Sequence, residues 1–113
     1  MADHFPDSTY PEAHQHAKVA RDQLQDDAEV ARVLGILTYR LAKGPSDYSR
    51  SIQLLQESSR KKTQDPAVFY FLGLAQYSIN EFAECKKALL HALSLNLETR
   101  FAEDANRILA KLN

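Results

Sequence analysis

The apolar residues of this chain recur at the spacing of an amphipathic helix, and the pattern is clearest near the C-terminal end. There Ala105, Ile108, Leu109 and Leu112 form one apolar stripe, and most of the intervening positions are polar or charged. The rest of the chain is rich in Ala, Leu, Gln, Glu, Lys and Arg, which all favour helix, and it contains no run of alternating β-branched residues. The sequence therefore predicts an all-α protein.

Capping and turn residues divide the chain into six predicted helices. Either Asp26 or Asp27 caps the second helix, which ends at Gly44-Pro45 because proline disfavours helix at the residue before it. Asp65 caps the fourth helix and is followed by a proline at the first helical position. The expected helices cover residues 9–25, 26–43, 46–62, 65–78, 80–95 and 99–112, with Asn80 and Thr99 as the caps of the last two.

Connections this short require consecutive helices to pack as antiparallel hairpins, and the chain contains an internal repeat of such a unit. Leu34-Gly35 matches Leu72-Gly73, and beyond the next turn Leu55 matches Leu89. The spacing between Leu55 and Leu89 is four residues shorter than the spacing between Leu34 and Leu72. One copy therefore carries four extra residues, which fall around residues 42–45 in the turn between two helices. A surface turn is where insertions are tolerated.

A two-helix unit with a period of about 34 residues resembles the tetratricopeptide repeat. Both copies carry the family's pattern of large, Leu-Gly, aromatic and small positions, and the first copy is the looser one. The positions are Phe69, Leu72, Gly73, Tyr77, Phe82, Cys85, Leu89 and Ala92 in the second copy, and Ala31, Leu34, Gly35, Tyr39, Tyr48, Ser51, Leu55 and Ser58 in the first. Gln76 and Leu97 depart from the pattern, where the family often has an aromatic residue and a proline. The resemblance implies a right-handed α-α superhelix of helical hairpins.

The repeat also predicts how the chain is organised. Tyr10 precedes Tyr48 by the same spacing that separates Leu34 from Leu72, so the first helix corresponds to the second helix of a truncated preceding repeat. We expect a flexible tail at residues 1–8 and a single domain at 9–113. Within that domain we expect a half repeat at 9–26, a first repeat at 27–65, a second repeat at 66–99 and a capping helix at 100–113.

Gly35 and Gly73 fall in the middle of predicted helices, where glycine costs about 1 kcal/mol relative to alanine. Such a cost is best explained by the close approach of another helix, so we expect both glycines to be contact points. The small residues expected to face them are Ser51, Ser58, Cys85 and Ala92, and the large residues expected to fill the layer between hairpins are Phe69, Leu72, Phe82 and Leu89.

Composition narrows the possible functions. The formal net charge is -1, from 14 basic and 15 acidic residues, which gives no field to draw the protein onto nucleic acid or an anionic membrane. No apolar stretch reaches the roughly 20 residues that a membrane-spanning helix needs. The single cysteine excludes an internal disulfide, and the first residues lack the pattern of a signal peptide. We therefore expect a cytoplasmic protein with neither a nucleic-acid nor a membrane partner.

No group of residues in the sequence supports catalysis. His14 and His16 are two residues apart and point to different faces of a helix, so they make a poor metal pair. Cys85 occupies a small-residue packing position without a histidine within one helical turn, which favours packing over nucleophilic chemistry. Glycine-rich phosphate loops and the common catalytic motifs are absent. We expect no enzyme activity, no cofactor and no metal.

The resemblance implies a binding surface on the first helix of each pair, because that helix lines the concave side of a tetratricopeptide array. The residues expected to bind a partner are Glu29, Arg32, Ile36, Tyr39, Arg40, Tyr70, Leu74 and Tyr77. Tyrosine and arginine are enriched at binding hot spots. In the alternative interpretation, Tyr39 and Tyr77 only pack against neighbouring helices. Ile36 and Phe71 stand where one family subgroup has the asparagines of a carboxylate clamp, so we do not expect that clamp.

Two functions are consistent with these patterns. The first is a non-catalytic module that binds a peptide or helix of a partner protein through an apolar and aromatic groove. The alternative is structural: the chain ends a longer solenoid, or it forms a homo-oligomer through the half repeat, which leaves one face uncovered.

Overall fold

The computed structural model describes residues 10–61 and 64–112. These residues form six α-helices and no strand, which confirms the all-α prediction. The helices are α1 (Tyr10–Gln23), α2 (Ala28–Arg40), α3 (Pro45–Lys61), α4 (Pro66–Ser78), α5 (Phe82–Ser94) and α6 (Thr99–Leu112). The tail predicted at residues 1–8 lies outside the described residues. No helix in the described ranges has the length and apolar character needed to cross a bilayer.

Two aspartates start helices as the sequence predicts. The Asp27 carboxylate accepts hydrogen bonds from the backbone N–H groups of Glu29 and Val30, at 2.9 and 3.0 Å, so Asp27 rather than Asp26 caps α2. The Asp65 carboxylate accepts from the Ala67 N–H at 3.0 Å, with Pro66 at the first helical position of α4. Each cap satisfies donors that a helix N-terminus otherwise leaves unpaired.

The predicted cap at Asn80 is wrong. Its backbone is left-handed, with φ 65°, and its N–H donates to the Tyr77 carbonyl while the Glu81 N–H donates to the Gln76 carbonyl. This pair of bonds is the Schellman motif, so Asn80 ends α4 instead of starting α5. The N-cap residue of α5 is Glu81, whose side chain makes no capping hydrogen bond. Asparagine suits both roles, because it caps helices and also tolerates the left-handed region.

Other helix ends shift by a few residues. The helix α2 ends at Arg40, before the predicted Lys43. The helix α3 begins at Pro45, because proline is well tolerated at the first helical position, so neither Ser46 nor Asp47 precedes it as a cap. Thr99 is likewise the first residue of α6 rather than its cap.

The helices pack chiefly on their neighbours in the chain, and α2 also packs on α4. A Cβ atom on Gly35 would lie 2.8 Å from Leu55 Cγ, and one on Gly73 would lie 2.8 Å from Leu89 Cδ2. The hairpins α2–α3 and α4–α5 therefore share one contact, in which a leucine of the second helix fills the space above a glycine of the first. The four small residues predicted to face the glycines are buried, and the Ser51 hydroxyl donates to the Gly35 carbonyl at 2.7 Å.

The core consists of two clusters. The smaller one joins α1, α2 and α3 through Tyr10, Ala17, Leu34, Leu37 and Leu54. The larger one spans α2 to α6 and holds Leu55 and Leu89. The expectation that Phe82 fills the layer between hairpins is wrong: its side chain is 44% exposed, because it is the first residue of α5 and lies at the end of the hairpin beside Tyr77.

Candidate binding surface

The eight residues predicted to bind a partner divide into two groups. Three of them are buried: Arg32, Ile36 and Tyr70 are 7%, 1% and 3% exposed. The other five are open to solvent. Glu29 is exposed, and Tyr39, Arg40, Leu74 and Tyr77 are partly so. The buried group holds the fold together, and the second group is the part of the predicted surface that a partner can reach.

Arg32 is committed to contacts within the chain. Its Nε donates to the Asp65 carboxylate at 2.8 Å, and its guanidinium lies 3.7 Å from the Glu29 carboxylate. Because Asp65 also caps α4, this ion pair joins the middle of the first hairpin to the start of the second. Arg32 therefore serves the packing of α2 against α4. Ile36 is one helical turn further along α2 and belongs to the larger core cluster.

Tyr70 is covered by α6. Its ring stacks on Phe101 at a centroid distance of 4.6 Å and an interplanar angle of 16°. Its hydroxyl donates to the Asp104 carboxylate at 3.3 Å. Burial raises the pKa of the Tyr70 hydroxyl, and the neighbouring Asp104 charge raises it further, so the phenol keeps its proton. The α4 residue with the strongest hot-spot character is thus an anchor for the last helix.

Tyr39 and Arg40 lie together at the end of α2. The Arg40 guanidinium carbon is 5.1 Å from the ring centroids of both Tyr10 and Phe71, within the range of cation–π interactions. The Tyr39 ring is 5.9 Å from that of Tyr48 and 6.0 Å from that of Phe71. Burial raises the pKa of the Tyr39 hydroxyl, so it too remains a hydrogen-bond donor near neutral pH.

These side chains border a cleft, here called the tyrosine cleft, that sequence reasoning did not identify. It has a volume of about 520 Å³. Its lining residues are Tyr10, Tyr39, Arg40, Leu41, Ala42 and Tyr48. One signal for it was present in the sequence, since Tyr10 and Tyr48 share a repeat position. What the sequence lacked was the packing of α1 that brings Tyr10 over Arg40.

Leu74 and Tyr77 occupy, on α4, the repeat positions of Ile36 and Tyr39. Both are partly buried against the larger cluster. The Tyr77 ring lies 5.5 Å from the exposed Phe82 ring of α5, so two aromatic residues meet at the end of the second hairpin. The two ends of the predicted surface thus differ. The end on α2 carries the Arg40 cation beside aromatic rings, and the end on α4 is apolar.

A second opening lies between α1 and α2, and we call it the α1–α2 groove. Its volume is about 350 Å³, and small or branched apolar side chains form most of its wall. The lining residues are Ala13, His16, Ala17, Ala20, Glu29, Val30 and Val33. It lies on the helix that the sequence analysis predicted to be a half repeat.

The titratable groups suit packing more than chemistry. Burial raises the pKa of the Cys85 thiol, which lowers its nucleophilicity. Burial lowers the pKa of His14, whose Nε2 lies 3.2 Å from the Thr38 hydroxyl. Within the described residues, no group of three or more His, Cys, Asp or Glu side chains is placed to hold a metal ion. The tyrosine cleft and the α1–α2 groove offer apolar contact, aromatic faces and the Arg40 cation.

No protein-family model matches this chain, and no curated protein shows significant similarity to it.

Proposed function

We propose that this chain is a non-catalytic protein-interaction module, similar to a tetratricopeptide array, that binds a peptide or helix of a cytoplasmic partner. The observation that carries the proposal is the pairing of accessible residues at equivalent repeat positions. Tyr39 on α2 and Tyr77 on α4 are both partly open, at the same ends of the two hairpins. Arg40 and Leu74 lie within one helical turn of them, and Glu29 is open at the other end of α2.

The chemistry of these residues supports a protein ligand. Tyrosine and arginine supply large contact areas at a small cost in conformational entropy, and they dominate binding hot spots. The ligand also has to be bound without Arg32, Ile36 and Tyr70, whose side chains are buried. The proposed contact is therefore narrower than the predicted groove, and it runs between the ends of α2 and α4.

The experiment compares Tyr77→Ala with Leu90→Ala. Leu90 is an exposed apolar residue of α5 outside the proposed surface, so its variant controls for the loss of apolar area. Proteins captured from a lysate by the parent chain are identified by mass spectrometry, and a purified candidate is titrated by calorimetry against each variant. We expect at least a tenfold loss of affinity for Tyr77→Ala and none for Leu90→Ala, with the helical circular dichroism of both variants unchanged. Equal affinity for all three proteins contradicts the proposal.

A second candidate function is supported by the α1–α2 groove. An uncovered apolar groove beside a half repeat suits a chain that ends a longer solenoid or associates with itself. Light scattering over a range of concentrations tests self-association, with Val30→Lys as the variant. A mass that rises with concentration in the parent and not in the variant supports self-association, and a constant monomer mass in the parent contradicts it.

A further inference from the structure

The position of Arg40 is the starting point. Its guanidinium carbon lies 5.1 Å from the centroids of two rings, that of Tyr10 on α1 and that of Phe71 on α4. These rings come from different helices, and both belong to buried residues. A guanidinium in contact with two buried rings has less rotational freedom than a free one, so less entropy is lost when it binds a ligand.

Arg40 differs in its contacts from three other arginines of the described residues. Arg21, Arg32 and Arg107 each donate to a carboxylate at 2.8 Å or less. Among the described residues Arg40 forms no ion pair, and its Nε is buried without a hydrogen-bond acceptor. The Nε itself is out of reach of a ligand, so the terminal amino groups of the guanidinium are the donors that Arg40 can offer to the cleft.

The cleft around Arg40 has the chemistry to receive an anion. None of its lining residues is acidic, and three of them, Tyr10, Tyr39 and Tyr48, are tyrosines, whose hydroxyl groups can donate hydrogen bonds. Within the described part of the chain these hydroxyls make no hydrogen bond. The C-terminal end of α2 disfavours an anion, so the positive charge of Arg40 has to outweigh it; two of the carbonyls there, Leu37 and Tyr39, accept hydrogen bonds from the Leu41 and Ala42 N–H groups. Its volume of about 520 Å³ falls within the range of ligand pockets.

We infer that the tyrosine cleft binds a carboxylate of an acidic peptide segment, with Arg40 as the cation and the tyrosine hydroxyls as further donors. The planar fork of arginine matches a carboxylate through two parallel hydrogen bonds. The aromatic walls suit apolar side chains on either side of the acidic residue. This inference rests on the proposed function, since it specifies what the α2 end of that surface recognises.

The test uses the full chain and three probes followed by nuclear magnetic resonance. The first probe is an amidated peptide with one glutamate between two leucines, the second has glutamine in its place, and the third is inorganic phosphate. We expect the glutamate peptide to shift the signals of Tyr39, Arg40 and Tyr48 and to bind at least tenfold more tightly than the glutamine peptide. Equal affinities for the two peptides overturn the inference, and so does phosphate binding at the same residues as tightly as the glutamate peptide.

Variants then assign the cation. Arg40→Gln is expected to weaken binding of the glutamate peptide at least tenfold, and Arg50→Gln, at an exposed arginine of α3, leaves it unchanged. Tyr48→Phe keeps the ring and removes one hydroxyl, so it tests the cleft even where Arg40→Gln fails to fold, and a loss of about threefold is expected for one hydrogen bond. Parental affinity in a folded Arg40→Gln or in Tyr48→Phe overturns the inference.

The outcome separates this inference from the proposed function. If capture of the partner depends on Tyr77 but the chain binds the glutamate and glutamine peptides equally well, the carboxylate site is contradicted and the proposed interaction module stands. If binding of the glutamate peptide depends on Arg40 but capture of the partner does not depend on Tyr77, the carboxylate site is supported and the proposed binding surface between α2 and α4 is contradicted.

Discussion

Leu55 fills the space that a side chain on Gly35 would need, since a Cβ there would lie 2.8 Å from Leu55 Cγ and 2.9 Å from its Cδ2. Leu55 is fully buried, so a shift of its side chain would disturb the core around it. Gly35→Ala gains about 1 kcal/mol of helix propensity. Overpacking of this kind typically costs about 1–3 kcal/mol, so we expect a net loss of stability near 1 kcal/mol. Urea unfolding measures it. Gly44→Ala is the control, because no atom lies within 4 Å of its added Cβ. Equal stability of the two variants would show that α2 and α3 can move apart without cost.

Loss of the ion pair between Arg32 and Asp65 is expected to lower the stability of the protein more than Gly35→Ala does. Asp65→Ala removes a cap and also the ion pair with the Arg32 guanidinium at 2.8 Å. Breaking a buried pair costs about 3–5 kcal/mol, and the partial exposure of Asp65 places the expected loss at the low end. Glu84→Ala is the control, since its pair with Lys87 is exposed and is worth about 0.5 kcal/mol or less. Chemical denaturation that ranks the two variants equally would contradict the structural role of Arg32.

The contact between Arg21 and Glu57 predicts a pH dependence. The two guanidinium nitrogens of Arg21 donate to the Glu57 carboxylate at 2.5 and 2.7 Å, and this hydrogen bonding holds the pKa of Glu57 below its ordinary value. The folded-state pKa is the lower one, so the stabilisation is complete above the unfolded value of about 4.3 and is lost as the pH falls through the folded-state value.

The variant Glu57→Gln isolates this contribution. We expect the parent to be more stable than the variant by about 0.5–1 kcal/mol at pH 7, as for a well-aligned surface pair, with the difference vanishing in acid. Thermal unfolding at pH 7 and pH 3 measures it. A difference that stays constant between these pH values would assign the effect to packing rather than charge.

Two substitutions of Tyr70 are expected to differ in how much they lower the stability of the protein. Tyr70→Ala removes the ring stacked on Phe101 and is expected to cost about 3–5 kcal/mol. Tyr70→Phe removes only the bond to Asp104, which is long at 3.3 Å, and should cost about 0.5–1 kcal/mol. Calorimetric melting temperatures distinguish the two. A mild effect of Tyr70→Ala would mean that α6 does not depend on this contact.

The helices could be predicted because their signals are local. Asp27 and Asp65 cap where the sequence indicated, and the glycines at 35 and 73 lie at close contacts. The boundary at Asn80 failed for an equally local reason, since one residue type suits two backbone roles. The spacing of the apolar residues indicated which segments are helical, but it says less about the residue at which each helix begins.

The predicted surface was less accurate because burial depends on distant residues. Repeat phase placed Arg32 and Tyr70 on an open face, but Asp65 pairs with the first and Phe101 stacks on the second. Each of these partners lies far along the chain from the residue that it covers. The tyrosine cleft was missed for a similar reason. Arg40 was among the expected residues, but its ring neighbours Tyr10 and Phe71 meet it only in the packed structure.

The packing of each helix on its neighbours in the chain also bears on how quickly the protein forms. Every residue of the smaller core cluster lies between Tyr10 and Leu54, so this cluster needs nothing from the second hairpin. Closing short loops costs little entropy, and helical proteins dominated by local contacts fold in microseconds to milliseconds. A ribosome adds about 5–20 residues per second. The first three helices can therefore collapse onto one another while α5 and α6 are still being synthesised.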